Sequence, residues 1–247
     1  REGSMRLHKF IAQCGAGSRR AAERMIQEGR VSVNGQVVTT LGVQIDPERD
    51  KIRLDNKLLK GAEPRTYILF YKPKGCLTSM KEEGSRPAIP QFLARIKVRV
   101  FPVGRLDYDA EGVLLLTNDG ELAKVLSHPR YNIPRCYLVK VKGIPSAERL
   151  SSLKRGIRLE DGLTRPAVAR LKGTTKAGNS WVDITVWEGR NRLIKRMFLQ
   201  IGHPAQKLKR VRFSFLGLAG LSPGQYRYLT PEEIKRLDDM VEKKLEG

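Results

Sequence analysis

The larger part of this chain lacks the regular alternation of strands and helices that a parallel sheet requires, and this feature most constrains its fold class. Apolar or alternating runs predict strands at residues 67–71, 97–103, 113–117, 136–141 and 181–187. Helices are predicted at residues 120–127, 146–155 and 192–201, with a capped C-terminal helix from Thr230. Because parallel neighbours need long crossover connections, most strands here should pair antiparallel. The sequence therefore predicts an α+β fold with a mixed, mostly antiparallel sheet and flanking helices.

Residues 5–62 are predicted to form a separate module of two short helices and a hairpin. Leu7, Phe10 and Ile11 recur at helical spacing, and Ser18 is a good N-cap for a second helix. Asn34-Gly35 between two β-branched runs predicts a type I′ hairpin. The outward positions are basic: Lys9, Arg19, Arg20, Arg24 and Arg30. The segment G-A-E-P-R at residues 61–65 is typical of a linker.

Three segments of this module resemble the S4-like RNA-binding domain. They are R-L-H-K-F-I-A, G-S-R-R-A-A-E-R-M-I and G-R-V-S-V-N-G, and together they cover most of residues 5–52. The resemblance implies that the basic face follows an RNA phosphate backbone. A generic helix pair with a solvated basic face is the alternative.

The charge of the chain points to a polyanionic partner. Its 247 residues carry 47 Lys and Arg against 26 Asp and Glu, which gives a net charge of +21. A basic surface binds nucleic acid because each neutralised phosphate releases condensed counterions. An anionic membrane surface is the alternative, and charge alone does not separate RNA from DNA. No apolar run of about 18 residues occurs, so we expect no membrane span.

The cysteines and histidines argue against metal or disulfide chemistry. Cys14, Cys76 and Cys136 lie far apart, without a C-x-x-C pair, which favours a reducing, cytoplasmic setting. The three histidines show no metal-ligand spacing, so no metal site is expected. Cys76 or Cys136 could act as a nucleophile, but an isolated cysteine is more often a small buried hydrophobe.

One segment has the pattern expected of a preorganised carboxylate. Asp107 closes a strand-like run, a polar turn follows, and the apolar strand at residues 113–116 leaves the turn. Two packed strands would hold such a carboxylate rigidly, as a nucleophile or base requires. Asp109 and Glu111 are rivals in the same turn. From the residues alone, Asp107 could equally cap backbone amides as a turn former.

The same segment resembles the signature of RNA pseudouridine synthases of the RsuA/RluB type. The signature is G-R-L-D-Y-D-A-E-G-V-L-L-L-T-N-D-G, and three other motifs occur in the family's order: Y-K-P-K-G, R-C-Y-L-V and E-G-R-N-R-L-I-K-R-M-F. Tyr71 stands where the family commonly has Asn. An S4-like domain ahead of the catalytic domain is also the family arrangement. The resemblance implies that residues 63–247 form the catalytic domain and that the chain isomerises a uridine of ribosomal RNA.

The resemblance also implies roles for individual residues. Asp107 would attack a flipped uridine, at carbon 6 of the base or at the anomeric carbon of the ribose. Lys195 would pair with it, because a nearby cation favours the ionised carboxylate. Tyr137 would stack on the base and Ile194 would line the pocket. Further substrate contacts are expected from Arg105 and Lys72, with flanking phosphates bound by Arg190, Arg192, Arg196, Lys207, Lys209 and Arg210.

Two other functions compete with this hypothesis. A non-catalytic RNA-binding or ribosome-assembly factor would explain the charge and the S4-like domain. A methyltransferase with an S4-like domain is disfavoured because no glycine-rich loop follows a strand. Uridine isomerisation needs no redox partner or group donor, so we expect no cofactor. We expect a monomer and lean towards the large ribosomal subunit, while the target uridine stays open.

Overall fold

The computed structural model describes residues 4–81 and 84–246. They form two compact units that divide between Arg65 and Thr66. This division lies three residues after the boundary predicted between residues 62 and 63. Within these described ranges, every helix is too short or too polar to cross a lipid bilayer.

The first unit contains two helices and short strands around a small apolar core. Its elements are β1 Met5–Arg6, α1 Leu7–Gln13, α2 Arg19–Gln27, β2 Val31–Val33, β3 Gln36–Val37, β4 Gln44–Ile45, β5 Ile52–Leu54 and β6 Lys57–Leu58. Ser18 accepts a hydrogen bond from the amide of Ala21 at 3.1 Å, which confirms the predicted N-cap. Asn34 and Gly35 both have positive φ, as a type I′ turn requires. The predicted helices and hairpin are therefore confirmed.

The basic residues of this unit differ in whether their charge is already paired with a carboxylate. Arg19, Arg20 and Arg24 are exposed on α2. Arg30 instead forms two hydrogen bonds with Asp55, at 2.9 and 2.8 Å, and a third with Glu28. Of the arginines predicted to face outwards, those on α2 present the most accessible charge.

The second unit contains one large sheet with helices on both faces. Its elements are β7 Tyr67–Lys72, β8 Phe101–Pro102, β9 Glu111–Thr117, α3 Gly120–Ser127, β10 Arg135–Val141, α4 Ala147–Arg155, β11 Arg158–Leu159, β12 Gly162–Leu163, β13 Val168–Thr174, β14 Ser180–Val186, α5 Leu193–Gln200, β15 Ala205–Phe213, β16 Leu216–Gly217, β17 Tyr226–Tyr228 and α6 Pro231–Glu246. Thr230 and Glu233 exchange hydrogen bonds at the start of α6, which confirms the predicted capping box.

The sheet order is β13-β14-β10-β15-β9-β7-β17, with β8 on β9 and β16 on β15. Strands β9 and β15 pair in parallel, whereas the other neighbouring strands among the described residues pair antiparallel. The predicted α+β class with a mixed, mostly antiparallel sheet is confirmed. This order places β9, which follows the signature turn, in the middle of the sheet.

Strand β9 is buried on both of its faces. Leu114 and Leu116 face one apolar cluster, which contains residues of α4 and α5, while Val113 and Leu115 face another, which contains residues of α3 and α6. Residues 112–117 are all buried. The turn that precedes this strand is therefore anchored to the most constrained part of the sheet.

Several strands were predicted with the wrong length or were missed when sequence periodicity was used. The run predicted at residues 97–103 is a strand only at Phe101–Pro102, because Pro102 has no amide hydrogen for a longer ladder. Strands β13, β15 and β17 were not predicted. In β15 the sequence A-Q-K-L-K-R-V-R-F hides the strand, since cationic residues interrupt the apolar alternation.

Gly112, which belongs to the signature motif, has to be a glycine because two backbones approach each other closely at this position. Its φ is +121°, and a β-carbon here would lie 2.1 Å from the carbonyl oxygen of Arg210 and 2.7 Å from its nitrogen. Gly112 and Arg210 are partners in the parallel β9–β15 pairing. Any side chain would therefore push the two strands apart.

We expect Gly112→Ala to lower the free energy of unfolding by about 3 kcal/mol or more, from combined strain and overpacking. The matched control is Gly173→Ala in β13, where an added β-carbon would have no atom within 4 Å and φ is not positive. Urea denaturation of both variants measures the difference. Equal stability of the two variants would show that the strands tolerate the extra methyl group.

Candidate active site

The turn that carries Asp107 is held by hydrogen bonds from the Y-K-P-K-G segment and the loop after it. The amide of Gly75 donates to the carbonyl of Tyr108 at 2.8 Å. The Thr78 hydroxyl donates to the carbonyl of Leu106 at 2.6 Å and accepts from its amide at 3.2 Å. Two motifs that are distant in sequence thus build one rigid turn.

Lys72 lies beneath this turn rather than in contact with solvent. It is fully buried, and its Nζ donates to the carbonyls of Ala110 at 2.8 Å and Pro73 at 3.0 Å. This placement contradicts the substrate contact predicted for Lys72, because an ammonium bound to two backbone carbonyls in the core does not reach RNA. Its role in the structure is to support the turn.

Burial lowers the pKa of Lys72 from 10.5 to about 8, and the neighbouring Cys76 and Asp107 only partly oppose this effect. Between these two pH values the unfolded chain binds the Lys72 proton and the folded chain does not. The stability of the wild type should therefore rise with pH relative to Lys72→Met, by up to about 1.4 kcal/mol per pH unit.

Urea denaturation of wild type and Lys72→Met at several pH values across this window measures the effect. Lys74→Met, at an exposed position of the same segment, controls for the loss of one positive charge. A constant stability difference between wild type and Lys72→Met would mean that Lys72 does not titrate there.

Lys195 brings a positive charge to the turn from helix α5. Its Nζ lies 3.3 Å from Oδ2 of Asp107 and forms a close hydrogen bond with Asp109. The side chain of Lys195 is 13% exposed and that of Asp107 28%, so the pair is partly shielded from water. Burial raises the pKa of Asp109, but the hydrogen bond and charge of Lys195 outweigh burial and leave the pKa below its usual value.

A cleft next to this ion pair contains most of the predicted site residues. Asp107, Arg105, Tyr137 and Ile194 all line it, together with Arg190 and Arg192. Its volume of about 120 Å³ is roughly ten times the space that one buried water needs. The cleft can therefore hold a single flat ring, with the Asp107 carboxylate on its wall.

Two of the predicted phosphate ligands are already bound to carboxylates. Arg196 forms two hydrogen bonds with Asp161, at 2.8 and 3.0 Å. Arg190 donates to Glu188 at 2.8 Å and to Asp161 at 3.2 Å. Both arginines fix the β11–β12 hairpin in this structure. Arg105 and Arg192 are exposed at the cleft, which makes them better placed for a phosphate.

The three remaining cations that were predicted to bind phosphates all lie on strand β15, but their side chains are in different environments. Lys207 is exposed, and Nζ of Lys209 lies 5.0 Å from the ring centroid of Tyr71. Arg210 is only 2% exposed and lines the cleft, which contradicts its predicted role on the surface. The cation lies inside because Arg210 faces the same side of the sheet as its partner Tyr137.

The sequence analysis assigned no role to Arg135, although it is the first residue of the R-C-Y-L-V motif; it is 7% exposed and lines the same cleft. Both buried arginines flank one ring: the guanidinium carbons of Arg135 and Arg210 lie 5.6 and 5.1 Å from the centroid of Phe213. Besides the motif, a usable signal is that Arg135 begins a strand whose alternate residues are otherwise apolar and buried. Neither Cys76 nor Cys136 lines the cleft, and burial raises the pKa of the Cys76 thiol.

Within residues 4–81 and 84–246, the structure contains no group of three or more His, Cys, Asp or Glu side chains arranged to hold a metal ion. The charged groups around the cleft are the carboxylates of Asp107 and Glu188 and several cations, and Glu188 is already bound by Arg190. Such a site can position an anionic or carbonyl-bearing ring beside a carboxylate nucleophile.

Comparison with known proteins matches both parts of the chain. The RNA pseudouridylate synthase family profile matches residues 66–200 and the S4 domain profile matches residues 5–50. A ribosomal large subunit pseudouridine synthase B from Bacillus subtilis is 49% identical, over 94% of this chain and 95% of its own length. An uncharacterized RNA pseudouridine synthase from Aquifex aeolicus is 43% identical, over 94% and 93%. A crystal structure of a pseudouridylate synthase superposes with a TM-score of 0.64 and 33% identity, over 94% of this chain and 99% of its own.

Proposed function

Since the chain belongs to the RNA pseudouridylate synthase family, we propose that it isomerises a specific uridine of large-subunit ribosomal RNA to pseudouridine. As a family member with an S4 domain ahead of its catalytic domain, it is an RNA-modifying isomerase. The ribosomal substrate is inferred from the Bacillus subtilis relative, which is named for the large subunit. The observation that carries the proposed mechanism is the ion pair between Asp107 and Lys195 at the cleft.

In this mechanism Asp107 is the nucleophile. It attacks either carbon 6 of the uracil or the anomeric carbon of the ribose, and both routes stay open. In either route the bond from ribose to nitrogen 1 breaks, the base turns, and carbon 5 forms a bond to the anomeric carbon of the ribose. The bond to Asp107 breaks to free the carboxylate, carbon 5 loses its proton to water, and nitrogen 1 takes up a proton from water. Lys195 pairs with the Asp107 carboxylate and holds it at the cleft. The isomerisation is internally balanced, so the proposal includes no cofactor.

The uridine must leave the RNA stack to reach Asp107. Extrusion of a base costs a few kcal/mol, and stacking on an aromatic side chain offsets part of this cost. Tyr137, which is 8% exposed on the cleft wall, supplies the ring, and Ile194 lines the same cleft. The position of Asp107 on the cleft wall supports base flipping as the mode of access, because a base inside a stacked helix would not reach it.

Exposed cations are proposed to hold the RNA around the extruded nucleotide. Arg105 and Arg192 lie at the cleft, and Arg19, Arg20 and Arg24 form the accessible basic face of the S4 domain. A tethered second domain raises the effective concentration of the active site near its RNA. We propose that the chain acts as a monomer, since one chain supplies every cleft residue that the mechanism uses. We also propose that it acts in the cytoplasm.

Tritium release from ribosomal RNA transcripts labelled at carbon 5 of uridine tests this function. The wild-type protein should release tritium from large-subunit RNA and none from small-subunit RNA. Tight RNA binding without any release from either RNA would instead identify a non-catalytic RNA-binding factor. Release from small-subunit RNA alone would retain the isomerase and reject the proposed substrate.

A further inference from the structure

Arg210 carries a buried donor that no atom of the described structure satisfies. Its Nε donates to the carbonyl of Val113 at 2.8 Å, which fixes the guanidinium at the inner wall of the cleft. Its Nη2 is buried and, within residues 4–81 and 84–246, has no hydrogen-bond partner. A buried donor without a partner is destabilising, and more so when it carries a charge.

The charge of Arg210 is also unpaired. Among the described residues, no carboxylate forms a salt bridge with Arg210 or with Arg135, which lies near the same Phe213 ring and donates to the carbonyl of Ile133 at 3.0 Å. Burial lowers the pKa of Arg135, and the positive charge of Arg210 acts in the same direction. Removing an ion from water is strongly unfavourable unless a partner compensates the charge. Two unpaired buried cations in one cleft therefore indicate that a ligand supplies the compensating oxygen.

The position of Arg210 favours the base over a phosphate as that ligand. Arg210 on β15 is the cross-strand partner of Tyr137 on β10, so both side chains leave the sheet on the same face. A base stacked on Tyr137 would have its edge beside the guanidinium. The phosphates of the RNA backbone would remain at the opening of the cleft, where Arg105 and Arg192 are exposed.

We propose that Arg210 donates a hydrogen bond from Nη2 to a carbonyl oxygen of the extruded uracil and stabilises the negative charge that the base acquires. The proposal rests on the proposed function. Attack at carbon 6 moves the carbon 5–carbon 6 electron pair into the ring and onto oxygen 4. Attack at the anomeric carbon leaves the glycosidic electron pair on the base, shared between nitrogen 1 and the carbonyl oxygens. Arg210 stays protonated in both routes, and no further reactant is needed.

Single-turnover tritium release by Arg210→Met tests the proposal. We expect the rate to fall about 10²-fold, the loss typical when one preorganised donor to a developing oxyanion is removed. RNA affinity and its dependence on salt should match the wild type, because no phosphate contact is lost. Arg212→Met removes one arginine from an exposed position on the same strand and should react at nearly the wild-type rate.

Either of two results for Arg210→Met would overturn the proposal. One is a rate for Arg210→Met close to that of the wild type. The other is weaker RNA binding with the salt slope reduced by about one, which identifies a phosphate contact. If Arg210→Met does not fold, Arg210→Lys keeps the charge but lacks the planar fork that reaches both Val113 and the base. It should be slow, and a wild-type rate would overturn the proposal. Failure of the wild type to release tritium would reject the proposed function instead.

Discussion

Asp107→Asn should bind ribosomal RNA as tightly as the wild type and form no measurable pseudouridine. The amide keeps the shape of the carboxylate but is not a nucleophile, so we expect a rate loss on the order of 10⁴-fold or more. Binding should persist because the cations around the cleft and on α2 are unchanged. Tritium release and a filter-binding titration measure the two properties separately.

Asp109→Asn is the matched control for this substitution. Asp109 lies two residues away in the same turn and also contacts Lys195, but it is outside the cleft lining. It should keep most of the activity. If Asp109→Asn were inactive and Asp107→Asn active, the roles of the two carboxylates would be reversed.

Lys195→Met should lower the rate by about 10³-fold with little change in RNA affinity. Lys195 is the cation shared by Asp107 and Asp109, and without it two carboxylates face each other in a partly shielded turn. Their repulsion should move the Asp107 carboxylate away from its position at the cleft. Single-turnover kinetics with saturating enzyme separates this effect from binding.

Lys195→Arg is the informative partner variant. A guanidinium keeps the charge next to Asp107, so it should recover much of the activity that Lys195→Met loses. Equal activity of Lys195→Met and wild type would show that the carboxylate works without its cation, and the proposed role of the ion pair would then be wrong.

Local patterns in the sequence were sufficient to predict much of the fold. The N-cap at Ser18, the Asn34-Gly35 turn and the Thr230–Glu233 capping box involve neighbours in sequence, and all three are confirmed. Strand β15 was missed because its character depends on long-range pairing with β9 and β10, which no local periodicity reports.

The sequence motifs predicted which residues lie together at the cleft better than they predicted the placement of the basic side chains. The structure brings Asp107, Lys195, Tyr137 and Ile194 together, as the family motifs implied. Basic residues were harder to interpret, because a lysine or arginine in a sequence does not reveal its burial. Lys72 supports the turn from below, Arg196 pairs with Asp161, and Arg210 lies inside the cleft. Each of these depends on contacts that only the folded sheet creates.

Mapping of pseudouridines in ribosomal RNA from cells that lack this protein tests the central claim most directly. The account predicts that one large-subunit pseudouridine disappears, and that wild type and Asp109→Asn restore it while Asp107→Asn does not. If the map were unchanged in the deletion, or if Asp107→Asn restored the modification, the account would be contradicted.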